Sequence, residues 1–242
     1  MKKAIIYVSF QIFAFITLLL VSGLFDGVLG SVVYYLAFLL PFFAVILFVK
    51  RDNIPFTPTK IKTSGKAVFL TVPLIAPTLL IILFASWLSS LAFDSDVATN
   101  VSGNLILVVI TAVLVPSVLE EAFFRYLPLA ILTPYSKKTA IFISAFGFAL
   151  VHFNPYQIAY AFVAGVIFAA VDIAFNSILP SLIFHFTNNL ASVLLLRYSA
   201  ENLFNLTYIL ILSAVAVLSI FVIYVWKNKY ITEIRRVYKT RG

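Results

Sequence analysis

The chain has 242 residues, of which 63% are apolar and 11% charged, with a formal net charge of +8. That balance excludes a soluble domain and fits a polytopic membrane protein. Cysteine is absent, which excludes disulfides, thiol nucleophiles and cysteine-ligated zinc, so any metal would need His and carboxylates.

Met1-Lys2-Lys3 and the apolar run from Ala4 to Phe25 resemble a signal peptide in outline. The run is long and lacks a small-x-small cleavage site, so it reads as a retained first span. At about 20 residues per span, seven further spans are expected near Gly27–Val49, Ala67–Phe93, Asn104–Leu132, Ala140–Phe153, Tyr156–Phe175, Ile178–Leu196 and Leu203–Trp226. The fifth is short and ends in Asn154-Pro155, so it is expected to stop within the bilayer. The fold class is all-α, a membrane helix bundle of about eight spans with both termini cytoplasmic. Residues 1–66 form two N-terminal spans and a loop, 67–226 a six-span core with its polar motifs at about 104–196, and 227–242 a basic cytoplasmic tail.

Charge placement supports this division, because cytoplasmic loops are enriched in Lys and Arg. With the N-terminus inside, Lys2, Lys3, Lys50, Arg51, Lys60, Lys62, Lys66, Lys137, Lys138, Lys227, Lys229, Arg235, Arg236, Lys239 and Arg241 fall inside, 15 of the 17 basic residues. Arg125, within a span, and Arg197, at an outer end, are the exceptions; Asp26, Asp94, Asp96 and Glu201 fall outside. The positive charge therefore reflects topology, with anionic lipid headgroups as a further partner of the tail, and nucleic acid binding is a poor explanation. Trp87, Tyr224 and Trp226 fit interfacial belts.

Ionisable groups within spans are costly and usually face a polar cavity. Glu120 and His152 each lie 12 residues from an inner span end, roughly 18 Å deep at 1.5 Å per residue. His185 is about 10 Å deep and Asn189 about 16 Å. Glu121 and Arg125, Phe148 and His152, and His185 and Asn189 are each four apart and share a helix face. Glu121 with Arg125 forms an expected ion pair, and Phe148 walls the site. Glu120, His152, His185 and Asn189 are expected around one cavity, open sideways to lipid or down to the cytoplasm. Asp172 lies near the inner end of its span, where snorkelling or a local hydrogen bond is the expected account.

Glu120-Glu121-x-x-x-Arg125, Phe148-x-x-x-His152 and His185-x-x-x-Asn189 resemble, in order, the three motifs of the CPBP intramembrane proteases, also called the Abi or CAAX-protease family. Members include Rce1-type CAAX prenyl endopeptidases and bacterial proteins linked to bacteriocin immunity. The resemblance covers roughly 104–196. It implies an intramembrane endopeptidase in a multi-pass cell-membrane location, acting on a membrane or membrane-associated peptide. Glu120 is then the catalytic base, helped by His152, while His185 and Asn189 stabilise the oxyanion. Glu121 orients the site or pairs with Arg125.

The family is also described as metalloproteases, in which Glu120 or Glu121 with His152 and His185 would hold a divalent ion such as zinc. Those ligands would come from three helices without a dedicated spacing, so the metal-free account is preferred. Other intramembrane chemistries lack their residues. There is no His-Glu-x-x-His, the Ser-Gly pairs at Ser22, Ser64 and Ser102 lie outside the site spans, and Asp172 is the sole intramembrane Asp. A proton-coupled transporter and a non-enzymatic scaffold are the rival classes; the first would show inverted repeats or paired broken helices.

Overall fold

The structure is a computed structural model that describes residues 1–58, 65–94, 101–198 and 206–238. Every regular element among the described residues is a helix, apart from one isolated bridge position. In chain order they are α1 (Lys2–Ser22), α2 (Gly27–Arg51), α3 (Val68–Ser90), α4 (Leu105–Leu132), α5 (Lys137–Leu150), α6 (Pro155–Phe175), α7 (Leu179–Tyr198), α8 (Leu206–Val225) and α9 (Lys227–Tyr238).

Seven helices, all except α5 and α9, are long and apolar enough to cross a membrane. The protein is thus an all-α multi-pass membrane bundle. The expected fifth span is α5, whose 14 residues reach only about 21 Å at 1.5 Å per residue, short of a hydrocarbon core of about 30 Å. It begins at Lys137 rather than Ala140, where Ser136 caps the first turn by accepting from the Thr139 N–H. It stops before His152, because Phe153 takes a left-handed φ of 52° and Asn154-Pro155 opens α6. His152 therefore sits in the turn after α5 and not inside a helix, as the expected span Ala140–Phe153 had it.

One buried cluster fixes the relative direction of the helices. Ala4 and Val8 from the start of α1 pack with Val45 and Val49 from the end of α2, Leu127–Leu132 from the end of α4, and Ala140 from the start of α5. The same end of the bundle therefore carries Lys3, Lys50, Arg51, Lys137 and Lys138. The short stretch after α2 folds back on this end, where the Thr57 N–H donates to the Ala130 carbonyl at 2.9 Å.

The basic tail is not a plain extension. Lys227–Tyr238 is a separate helix whose Tyr230 and Ile234, four residues apart, pack against Leu70 and Phe175. Of the residues assigned to loops and termini, Lys60, Lys62, Asp96, Glu201, Lys239 and Arg241 lie outside the described residues, as does Leu203 at the expected start of the last span.

Candidate functional site

The site is built on α4, which is not a regular helix. Val109–Leu114 and Ala122–Tyr126 are π-helical, with each turn widened by one residue. Proline explains the second segment. The Leu127 N–H reaches back five residues to the Ala122 carbonyl, which leaves Phe123 without its usual donor, and Pro128 has no N–H to give to Phe123 or Phe124. Other helices supply the missing donors: Gln11 Nε2 of α1 donates to the Phe123 carbonyl at 2.8 Å, and Ser144 Oγ of α5 donates to the Phe124 carbonyl at 2.5 Å. Such π segments occur often at functional sites.

Phe123 and Phe124 anchor this segment, packing with Phe15, Phe38 and Phe148 in one aromatic cluster. Beside these rings α4 carries Glu120, Glu121 and Arg125. Glu121 and Arg125 are completely buried, and Arg125 Nε lies 3.5 Å from Glu121 Oε2. The expected ion pair is present. The guanidinium also lies over the Phe148 ring at 4.0 Å and the Phe168 ring at 5.5 Å, a cation–π arrangement that strengthens when water is excluded.

Glu121 has a second role. Its Oε1 accepts from His185 Nδ1 at 2.8 Å, so a carboxylate fixes the proton of that imidazole on Nδ1 and directs Nε2 away from it. Nε2 lies 3.7 Å from Oε2 of Glu120, whose side chain is 18% exposed. The two neighbouring carboxylates thus flank one histidine, with Glu121 behind it and Glu120 on the open side. Phe148 and Phe168 pack on the His185 ring.

His152 is half-buried and lies edge-on to Phe148 with ring centroids 5.1 Å apart. Its Nδ1 donates to the Phe148 carbonyl at 2.9 Å, leaving Nε2 as the basic nitrogen. Asn189 is half-buried, and its Oδ1 accepts from Asn188 Nδ2 at 3.5 Å.

A cavity of about 330 Å³ joins these groups, and its wall includes Glu120, His152, His185, Asn188 and Asn189. The expected convergence on one cavity is therefore found, with Glu121, Arg125 and Phe148 forming the wall behind it. On α4 the lining runs from Glu120 back through Pro116 to Ala112, and on α7 forward from His185 to Leu196. Both run away from the end that holds Lys137 and Lys138, so the lining does not lead down past the basic end.

Asp172 joins the site from behind, which sequence spacing did not show. It is fully buried, so it does not snorkel; its Oδ1 accepts from the Ser181 N–H at 3.1 Å, tying the end of α6 to the first turn of α7. Ser181 is one turn before His185. Asp172 also lies within electrostatic reach of Glu121 and Arg125.

The metal account requires Glu120 or Glu121, His152 and His185 to converge as ligands. Among the described residues, no three His, Cys, Asp or Glu side chains are grouped so that they could hold a metal ion. Glu121 already holds Nδ1 of His185 and Arg125, so of the two neighbouring carboxylates Glu120 is the one left facing the cavity.

Residues 102–191 match the family model described as type II CAAX prenyl endopeptidase Rce1-like. This segment of the chain is similar to an Rce1-like domain. The matched segment contains all three motifs, and the activity it supports is that of an intramembrane CAAX-type endopeptidase in general. The Rce1-like domain spans most of α4 through α7, the helices that surround Glu120, His152 and His185. No curated protein and no solved structure matches the chain.

Proposed function

We propose that the protein hydrolyses a peptide bond in the membrane by direct attack of water, with the basic end of the bundle and both termini in the cytoplasm. The observation that carries the reading is the common cavity wall formed by Glu120, His152, His185 and Asn189. Glu120 takes the proton of the attacking water, and its contact with Nε2 of His185 keeps the carboxylate directed into the cavity. His152 assists through its free Nε2. The water oxygen bonds to the scissile carbonyl carbon, and the carbonyl oxygen gains charge.

Asn189 Nδ2 and a protonated His185 then stabilise that oxyanion. His185 keeps Nδ1–H on Glu121 while donating from Nε2. Collapse of the tetrahedral intermediate breaks the C–N bond, and the proton held by Glu120 passes to the departing amine. No metal takes part in this sequence.

The test is cleavage by the purified protein after exhaustive chelation, beside the Glu120→Gln variant. The expected result is chelator-resistant cleavage that disappears in Glu120→Gln. Stoichiometric zinc with chelator-sensitive activity restored by zinc would overturn the metal-free step, and full activity in Glu120→Gln would overturn the base assignment.

A further inference from the structure

His152 assists the attacking water in the reading above, yet no helix carries it. α5 ends at Leu150 and α6 begins at Pro155, so the imidazole belongs to the turn between them. The bond from Nδ1 to the Phe148 carbonyl fixes how the ring is rotated. It does not fix where the turn lies. Phe153, next in the chain, has the left-handed φ of 52° and an exposed side chain, so it gives the turn no anchor.

The anchor is Tyr156, four residues after His152. Its N–H donates to Asn154 Oδ1 at 2.9 Å, which ties its backbone directly to the turn. α3 grips the same residue at both ends. Ser86 Oγ and Tyr156 Oη are 2.6 Å apart, and Ser89 Oγ donates to the Tyr156 carbonyl at 2.8 Å. Ser86, Ser89 and Tyr156 are all buried. A serine within a span bonds either back to its own helix or across to another. Ser86 and Ser89, three apart on one face of α3, reach across to α6, whereas Ser90 bonds back to the Trp87 carbonyl.

This grip is part of the cavity, since Ser86, Tyr156 and His152 all line it. α3 precedes residues 102–191, the segment similar to the family model. Part of what holds the His152 turn therefore lies outside the three motifs. Resting on the role given to His152 above, we infer that Tyr156 is a positioning residue, which Ser86 and Ser89 of α3 hold so that the His152 imidazole keeps its place in the cavity. A displacement of about an ångström in a reacting group costs on the order of a hundredfold in rate. Losing the Ser86 bond loosens the turn and removes no reacting group, so the expected loss in kcat is smaller, about tenfold.

The test uses the full chain in detergent micelles. His152 and His185 are its two histidines, so isotope labelling of histidine gives two sets of imidazole signals by NMR. Tyr156→Phe keeps the ring and removes the hydroxyl that faces Ser86. It is expected to move the His152 signals, to leave those of His185 in place, and to lower kcat about tenfold with KM unchanged. Ser86→Ala should reproduce each effect and Ser90→Ala none. Where Tyr156→Phe lowers the yield of folded protein, Ser86→Ala, the smaller change, decides. Unmoved His152 signals, an unchanged kcat, an effect confined to KM, or the same changes in Ser90→Ala overturns the inference. If the His152 signals move as expected but wild type cleaves nothing, the positioning stands and the hydrolytic reading falls.

Discussion

Helices α7 and α8 are consecutive and each has 20 residues, yet they meet the membrane in opposite ways. The face of α7 that carries Ser181 and His185 is buried, and its continuation through Asn189 lines the cavity. In α8 only Leu212 and Ala216 are buried, while Leu210, Val217, Phe221 and Val225 are exposed. Both pass a test of length and composition. What separates them is where the polar atoms go. A His or Asn in hydrocarbon needs a partner on another helix, so α7 is placed by Glu121 and Asp172, whereas α8 has no comparable requirement. The same contrast divides α4–α7 from α1–α2, whose contribution to the site is mainly the aromatic support of Phe15 and Phe38 and the Gln11 donor.

The largest expected difference between the two kinds of helix is in activity. Glu120→Gln and His152→Ala should each lower cleavage by about a hundred- to ten-thousand-fold, the usual range for a positioned acid–base group. Phe221→Ala on α8 should leave it near wild type. Assays on purified protein at matched amounts decide the matter, and a comparable loss in Phe221→Ala would erase the contrast.

Next comes folding. Arg125→Ala leaves the Glu121 carboxylate buried opposite no guanidinium, which should destabilise the protein by about 3–5 kcal/mol. Its expected signature is a sharply reduced yield of folded protein in membranes. Normal yield and normal thermal stability would show that Glu121 does not depend on the ion pair.

Much of this was legible in the sequence, for reasons that also explain the gaps. Hydropathy and length are sums over a window, so the seven long spans emerge directly, and four-residue spacing puts Glu121 on Arg125. The hydrogen bond from His185 to Glu121 was not legible, because it depends on the rotation of α7 against α4, which periodicity leaves undetermined. Pro128 was the available signal for the irregular turn of α4: a proline inside a span leaves carbonyls that some other helix must serve. Of the two accounts expected for Asp172 the hydrogen bond holds and snorkelling does not, and its partner Ser181, nine residues away across a turn, was beyond any helix-face rule. The tail helix was overlooked because its positive charge was read as topology and lipid contact, although Tyr230 and Ile234 have the four-residue spacing of a packed face.

Asp172 gives a smaller effect that sharpens the account of α7. Asp172→Ala removes the acceptor for the Ser181 N–H inside the bundle, an expected cost of about 1–3 kcal/mol for an unsatisfied buried donor. Asp172→Asn keeps an oxygen there and should cost less. Thermal unfolding in detergent compares the two, and activity should follow stability because Asp172 acts through the start of α7. Equal destabilisation by Asn and Ala would mean that the charge of Asp172, and not its hydrogen bond, sets the position of α7.

The smallest effect is expected at the one charged cluster of α1 and α2, which is the outward counterpart of the buried one. Asp52, just past α2, accepts from Tyr7 Oη at 2.5 Å and Lys3 Nζ at 2.9 Å, and the Arg51 guanidinium lies 2.9 Å away. The Tyr7 hydrogen bond, followed by those from Lys3 and Arg51, holds its carboxyl well below the usual carboxylate range. A depressed folded pKa contributes stability above the unfolded value, and that contribution is lost as pH falls through the folded one. Asp52→Asn should therefore lower the melting temperature slightly at neutral pH, since exposed ion pairs are screened. The gap from wild type should stay constant down to about pH 5 and shrink only below the ordinary Asp pKa of about 3.9. Melting curves of both proteins across that range provide the check. A gap that closes between pH 7 and pH 5 would mean that some group other than Asp52 controls the junction of α1 and α2.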